Sequence, residues 1–295
     1  MFPIKRIVVA TDMSPFASQA EARAAMLAHE LGSESLDLLH VIDSLALESL
    51  RNLTEPLLDT ERRLMESSRQ QMGEIEHRLS ESYQIPVTTI TLNVGRPHTE
   101  IVRYARLLNA ELVVLGAHSG GLMQELFVGS TVDKVVRTLA CPLLIVKRQP
   151  QVPYRQILIP VDFSESSRRA MEFAMNTAPH AHIIVLHAFE VPFEGKLLFA
   201  GVSDQQIQIY RAEMQAQKGV EMRQFVSEWG AAGGSLSNIV EFGRVSTVIK
   251  ERAKLLEPDL IVIGKHGQSE WENMLLGSVT EQVIQDAGCD VLVVG

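Results

Sequence analysis

The sequence predicts an α/β chain of two doubly wound domains, each built on a parallel five-stranded sheet. Three observations carry this: short continuous apolar runs, longer stretches of helical spacing between them, and repetition of the whole pattern in the second half. Continuous runs such as Ile183-Ile184-Val185-Leu186 suit strands covered by helices on both faces, where no side of the strand meets water.

The elements repeat in order. Residues 7–14, IVVATDMS, align with 157–164, ILIPVDFS, as first strands ending in an Asp. Leu38-Leu39-His40-Val41 aligns with Val185-Leu186-His187-Ala188 as second strands. Amphipathic helices follow, with Leu64, Met72, Ile75 and Leu79 in the first half and Met214, Met222, Phe225, Val226 and Trp229 in the second. Gly95-Arg96 then matches Gly243-Arg244, Glu111 to Gly116 matches Asp259 to Gly264, Gly129-Ser130 matches Gly277-Ser278, and Cys141 matches Cys289, all at an offset of 148. A repeat of that length is a duplicated domain rather than a solenoid unit of ~20 to 50 residues. The polar segment KRQPQVPYRQ, residues 147–156, has no periodicity and reads as a linker, so the domains are expected at 1–148 and 154–295.

Composition narrows the function. The chain has 295 residues, 46% hydrophobic and 21% charged, with a net charge of −9, which leaves no basic footprint for a nucleic-acid partner. Two cysteines without CxxC or metal-ligand spacing read as reduced core thiols. The opening MFPIKRIVVATD lacks an h-region or a membrane span, so a cytoplasmic location is expected.

The stretch GKHGQSEWENMLLGS, residues 264–278, leaves a strand at the carboxyl end where such sheets bind ligands. Glycine at 264 and 267 is expected to turn the chain tightly and admit an anion to the backbone amides. Ser278 is expected to open the next helix, with Ser278-Val279-Thr280-Glu281 as a capping box. Unpaired N–H groups and about half a positive charge would gather there.

The pattern G-x-x-G, nine residues, G-S, with an Asp after the first strand and the whole repeated, resembles a tandem universal stress protein over nearly the full chain. The resemblance implies an adenine nucleotide alpha hydrolase-like fold, arranged as an intramolecular pseudo-dimer, and binding of ATP or a related adenine nucleotide, with Mg as an accompanying ion. It places Val161 and Asp162 beside the adenosine and the Ala188 backbone against the base. Ile263, Gly264, Lys265, Gly267, Gly277, Ser278, Val279 and Thr280 would complete the site, the glycines and helix start holding phosphates and Lys265 adding a point charge or remaining solvated. A weaker site in the first half would use Asp12, Val41, Gly116, Gly129, Ser130 and Thr131, because Ser119 stands where the second glycine is expected. Ser278 and Asp162 also have plainer readings as helix caps. His118 and His266 read as loop-packing residues, since neither has a partner at metal spacing. Arg96 and Arg244 read as surface arginines.

No Walker, G-x-G-x-x-G, G-x-S-x-G or HExxH motif is present, and no residue stands out to activate a water. The expectation is therefore a stress-response sensor, with slow ATP hydrolysis at most, in which ATP orders the loop after Gly267 and alters the surface shown to protein partners. A competing reading is a carrier of an apolar or nucleotide-linked lipid, suggested by FEVPFEGKLLFAGV, residues 189–202. A third is a scaffold. The terminal runs Leu143–Val146 and Val291–Val294 are expected at sheet edges, where they would pair the two halves; a homodimer of the whole chain is compatible with that.

Overall fold

Each expected apolar run forms a strand in the computed structural model, which describes residues 4–51, 58–85, 87–118, 129–229, 235–267 and 276–295. The order is β1(Arg6–Thr11), α1(Pro15–Leu31), β2(Ser35–Asp43), α2(Ser44–Arg51), α3(Leu58–Tyr83), β3(Val87–Gly95), α4(Pro97–Leu107), β4(Leu112–Gly116), α5(Ser130–Thr138) and β5(Leu143–Val146). The second half repeats it as β6(Gln156–Pro160), α6(Glu165–Thr177), β7(His182–Phe189), α7(Glu194–Phe199), α8(Asp204–Ser227), β8(Leu236–Phe242), α9(Val245–Leu256), β9(Leu260–Gly264), α10(Ser278–Asp286) and β10(Asp290–Val294).

The chain divides into two compact units. Unit 1 holds residues up to Pro153 together with Asp290–Val293 and Gly295, and unit 2 holds Tyr154–Cys289 and Val294. In unit 1, β1 lies between β2 and β4, β3 flanks β2 and β5 flanks β4, all parallel. Helices separate these strands, as parallel crossovers require. In unit 2, β6 lies between β7 and β9, and β8 flanks β7, again parallel.

The terminal runs pair as expected. β10 is antiparallel to β5, with Val291 opposite Ile145 and Val293 opposite Leu143. Its first four residues group by contact with unit 1. Asp290 anchors that edge: its Oδ1 accepts the N–H groups of Lys147 (2.8 Å) and Arg148 (3.2 Å), and its Oδ2 lies 3.5 Å from Arg23 Nε. Both side chains of the ion pair are buried, where a charge is tolerable only with its partners in place.

The expected helix faces are buried in part, with Leu64, Met214, Val226 and Trp229 half-covered. Met72, Ile75 and Leu79 pack inward from α3, and Met222 and Phe225 from α8. The short helices α2 and α7 were not expected; each adds a helix to the crossover between the second and third strands of its repeat. α7 divides the apolar segment at 189–202. Phe189 and Val191 are core, whereas Phe193, Leu198 and Phe199 are exposed, Phe199 at 96%. Cys289 is buried; the half-buried Cys141 thiol is pushed up to about 11 by burial, which keeps it protonated.

Candidate functional site

The end of β6 sets the geometry. Asp162 Oδ1 accepts the Ser164 N–H (3.0 Å) and the Ser167 hydroxyl (2.7 Å), closing an Asx turn ahead of α6. Ser164 caps α6 by accepting the Ser167 N–H at 3.2 Å. Between them Phe163 sits in the left-handed region at φ 65, as does Met13 at φ 63 in the matching turn of unit 1, where Asp12 Oδ1 accepts the Ser14 N–H. Non-glycine residues there cost roughly 1 kcal/mol, so neighbours must hold the turn. The buried His187 ring supplies that hold: Nδ1 lies 2.8 Å from the Val161 carbonyl and Phe163 stacks against the ring at 4.3 Å. His40 does the same for the Thr11 carbonyl at 2.8 Å. Burial holds the His187 imidazole below its ordinary value, in its neutral form. These two histidines are site-shaping residues that composition alone did not single out; the signal was a His in the same place within two otherwise apolar strands.

A cavity of about 260 Å³ opens at the carboxyl ends of β6, β7 and β9. Of the expected residues, Val161, Asp162, Ala188, Ile263, Gly264, Gly267, Gly277, Ser278, Val279 and Thr280 all line it. Pro160, Ser167, Leu186, Val245, Ile249 and His266 join them. β6 stops at Pro160, and the Val161 N–H donates to the Leu186 carbonyl at 2.8 Å. β7 continues to Phe189, so the backbone edge of Ala188 on the β6 side faces the cavity.

Lys265 is the exception. It does not line the cavity; its N–H donates to the Val294 carbonyl and its own carbonyl accepts the Gly277 N–H at 3.1 Å. Burial of its half-covered side chain lowers the ammonium from its ordinary value.

The glycines divide by purpose. A Cβ at Gly264 would meet Ser166 Cβ at 2.9 Å, so this glycine lets α6 approach the strand rather than admitting a ligand. Gly116 stands in the same relation to the Phe16 carbonyl at 2.8 Å. Gly267 has no positive φ, and a Cβ there would sit 3.1 Å from Asp162 Oδ2. The turn at this position is therefore made without a left-handed backbone, and the glycine serves the close approach. Gly277 has room for a Cβ, with Lys265 O at 3.4 Å.

Gly277, not Ser278, is the N-cap of α10, and no side chain among the described residues caps the helix. The expected capping box does not form, because the N-cap has no side chain, and Ser278 becomes the first helical residue. The opening amides of α10 at Ser278, Val279 and Thr280 thus meet the cavity without a side-chain cap, in contrast to the Ser-capped α1 and α6. Thr280 Oγ1 is committed elsewhere, donating to the Gly264 carbonyl at 2.8 Å.

Unit 1 repeats the arrangement around a cavity of about 380 Å³, lined by Asp12, Val41, Gly116, Gly129, Ser130 and Thr131 among others. Gly129 caps α5 with φ −61 and ψ 148, against −61 and 139 at Gly277, and again no side chain among the described residues caps the helix. His118 packs edge-on against Phe16 at 4.9 Å and lines the unit-1 cavity, and His266 lines that of unit 2. Arg96 and Arg244 stand at the N-caps of α4 and α9, outside both linings. Ser119, and residues 268–275 of the loop expected to be ordered by ATP, lie outside the described residues.

Residues 3–147 and 153–295 each match the model of the Universal stress protein family. The chain belongs to the universal stress protein family. Universal stress proteins of known sequence resemble it over one repeat or both. One from Methanocaldococcus jannaschii is 34% identical over 48% of this chain and 82% of its own length. One from Mycobacterium tuberculosis is 25% identical over 97% of this chain and 95% of its own. The crystal structure of a universal stress protein from Archaeoglobus fulgidus shares the fold, with a TM-score of 0.69, 19% identity and 99% of each chain covered. No helix among the described residues is long and apolar enough to cross a membrane.

Proposed function

We propose that the unit-2 cavity binds an adenine nucleotide, ATP in the first instance, and that the protein acts as a nucleotide-dependent stress-response module. The observation that carries this is the uncapped start of α10 opening on a cavity whose opposite wall is Leu186, Ala188, Val245 and Ile249. Apolar faces suit a purine, and unpaired amides with about half a positive charge suit phosphates. The volume is small for a whole nucleotide, so the base and ribose fill the cavity and the phosphates extend along Gly267, Gly277 and Ser278 toward solvent.

The residues present fit that ligand. The N–H and C=O of Ala188 offer one donor and one acceptor to a base edge, and Asp162, already fixed by its Asx turn, presents a carboxylate to ribose hydroxyls. Mg would be held mainly by the phosphates, since Asp162 is the single carboxylate of the lining among the described residues. The domain reading goes with it: a repeat ending near residue 148 whose loop carries Ser119, and one from about 154 with the full glycine pattern. Calorimetric titration of the full chain with ATP tests the proposal. Saturable binding, weakened about tenfold or more in Gly277→Glu, supports it; no heat and no co-purified nucleotide by native mass spectrometry sinks it.

The scaffold reading has one observation in its favour, the exposed Phe193, Leu198 and Phe199 around α7. None of them lines the unit-2 cavity, so the same residues give no support to a lipid carried there.

A further inference from the structure

Among the described residues, the two cavities differ in one charged residue on the side where the second strand meets the helix that follows the third strand of its repeat. In unit 1 Asp43, the last residue of β2, lines the cavity beside Val41, Pro97 and Ile101. In unit 2 the same wall is Ala188, Val245 and Ile249; the residue in Asp43's position, Glu190, is exposed and outside the lining. Asp43 is held in place, since Oδ1 accepts the Leu45 N–H at 2.9 Å at the start of α2. Its second oxygen has no hydrogen-bond partner among the described residues. Two groups face Asp43 from neighbouring elements: His98 on α4, which senses its charge together with those of Arg96 and Lys134, and the opening amides of α2.

We propose that Asp43 makes the unit-1 cavity selective for a ring carrying an exocyclic amine. The inference rests on the reading of these cavities as base-binding sites and adds a preference that unit 2 does not share. Adenine presents an N6 amine, a donor, whereas hypoxanthine presents an oxygen at the same place, an acceptor. A carboxylate oxygen on that edge attracts the first and repels the second. In unit 2 only backbone groups meet the base edge, and the discrimination there is smaller. A hydrogen bond to a charged acceptor changes affinity by roughly tenfold or more, and a lone-pair clash in its place adds to that.

The test compares ATP and ITP by calorimetry on the full chain carrying Gly277→Glu, which obstructs the phosphate end of unit 2, and on the same chain with Asp43→Asn added. The amide keeps an oxygen for the Leu45 N–H but turns the second position into a donor. ATP should bind at least about tenfold tighter than ITP when Asp43 is intact, and the ratio should fall to about one or invert once Asp43→Asn is present. A ratio that Asp43→Asn leaves unchanged overturns the proposal, as does failure of the Gly277→Glu chain to bind either nucleotide. If Gly129→Glu still binds ATP in that last case, the unit-2 reading survives alone; if the wild-type chain binds no nucleotide, both readings fall together.

Discussion

Thr280 Oγ1 donates to the Gly264 carbonyl at 2.8 Å, tying the first turn of α10 to the last residue of β9. The bond is buried and joins the two elements from which the unit-2 cavity takes its backbone donors. Thr280→Val keeps the shape and leaves the carbonyl without that donor, at a cost of about 1–2 kcal/mol. Urea unfolding should show that loss, and ATP affinity should fall with it. An unchanged midpoint would mean that the carbonyl finds water.

Gly264 and Gly277 should respond in opposite ways to Ala. A Cβ at 264 runs into Ser166 on the backbone-fixed first turn of α6, so Gly264→Ala should destabilise by about 1–3 kcal/mol. At 277 the nearest atom is an ordinary contact, so Gly277→Ala should fold with near wild-type stability yet bind ATP more weakly. Thermal melts with and without ATP separate the two effects. Equal melts for both variants would show that the division of roles is wrong.

Unit 2 should bind ATP more tightly than unit 1. A side chain at position 267 would stand 3.1 Å from the Asp162 carboxylate, and the first repeat carries Ser119 at the matching place. Because Asp290–Val293 belongs with unit 1, separated halves would each lose a sheet partner, so the comparison needs the whole chain. Gly129→Glu should retain most of the ATP binding and Gly277→Glu should lose about tenfold or more. The reverse ranking would refute it.

Stability should fall on mild acidification, in part through His187. Its native value lies below the ordinary 6.5, chiefly through burial. As pH drops through 6.5 the unfolded chain takes up a proton that the folded chain refuses, so unfolding is favoured until the lower native value is reached. His98, lowered by burial and by Lys134 and Arg96, adds a contribution of the same sign. His187→Gln can still donate to the Val161 carbonyl and cannot charge. The difference in urea midpoint between about pH 7.5 and about pH 5.5 should therefore shrink in that variant. An undiminished difference would exclude His187 as a source.

Arg78 should matter more than its exposure suggests. Glu21 is buried on α1, accepts bonds from Thr11 and Arg78, and is held above the ordinary carboxylate value chiefly by burial. Removing the guanidinium in Arg78→Met leaves a buried carboxylate with Thr11 alone, at roughly 2 kcal/mol near neutral pH. Glu21→Gln in the same background should restore part of the loss, because the buried group is then neutral. No recovery would mean that the guanidinium's packing matters rather than its charge.

Strands, repeats and the ligand-bearing ends of the sheets were legible because apolar runs and glycine spacing are local signals. The roles of individual groups were not. Gly264 looks like a phosphate glycine until Ser166, nearly a hundred residues earlier in the chain, is seen against it. Ser278 looks like an N-cap, yet the extended backbone falls one residue earlier at Gly277. α7 arises in a segment whose aromatic content suggests core, and only the termination of β7 at Phe189 reveals which residues are left outside. Lys265 carries a charge that invites a phosphate, while the fold uses its peptide groups.

The antiparallel pairing of β10 with β5 has a consequence for biosynthesis. The strand that completes the first unit's edge leaves the ribosome only after the entire second repeat has been translated. Until then Leu143 to Val146 wait with one side unpaired, and a chaperone or a neighbouring nascent chain has time to reach them.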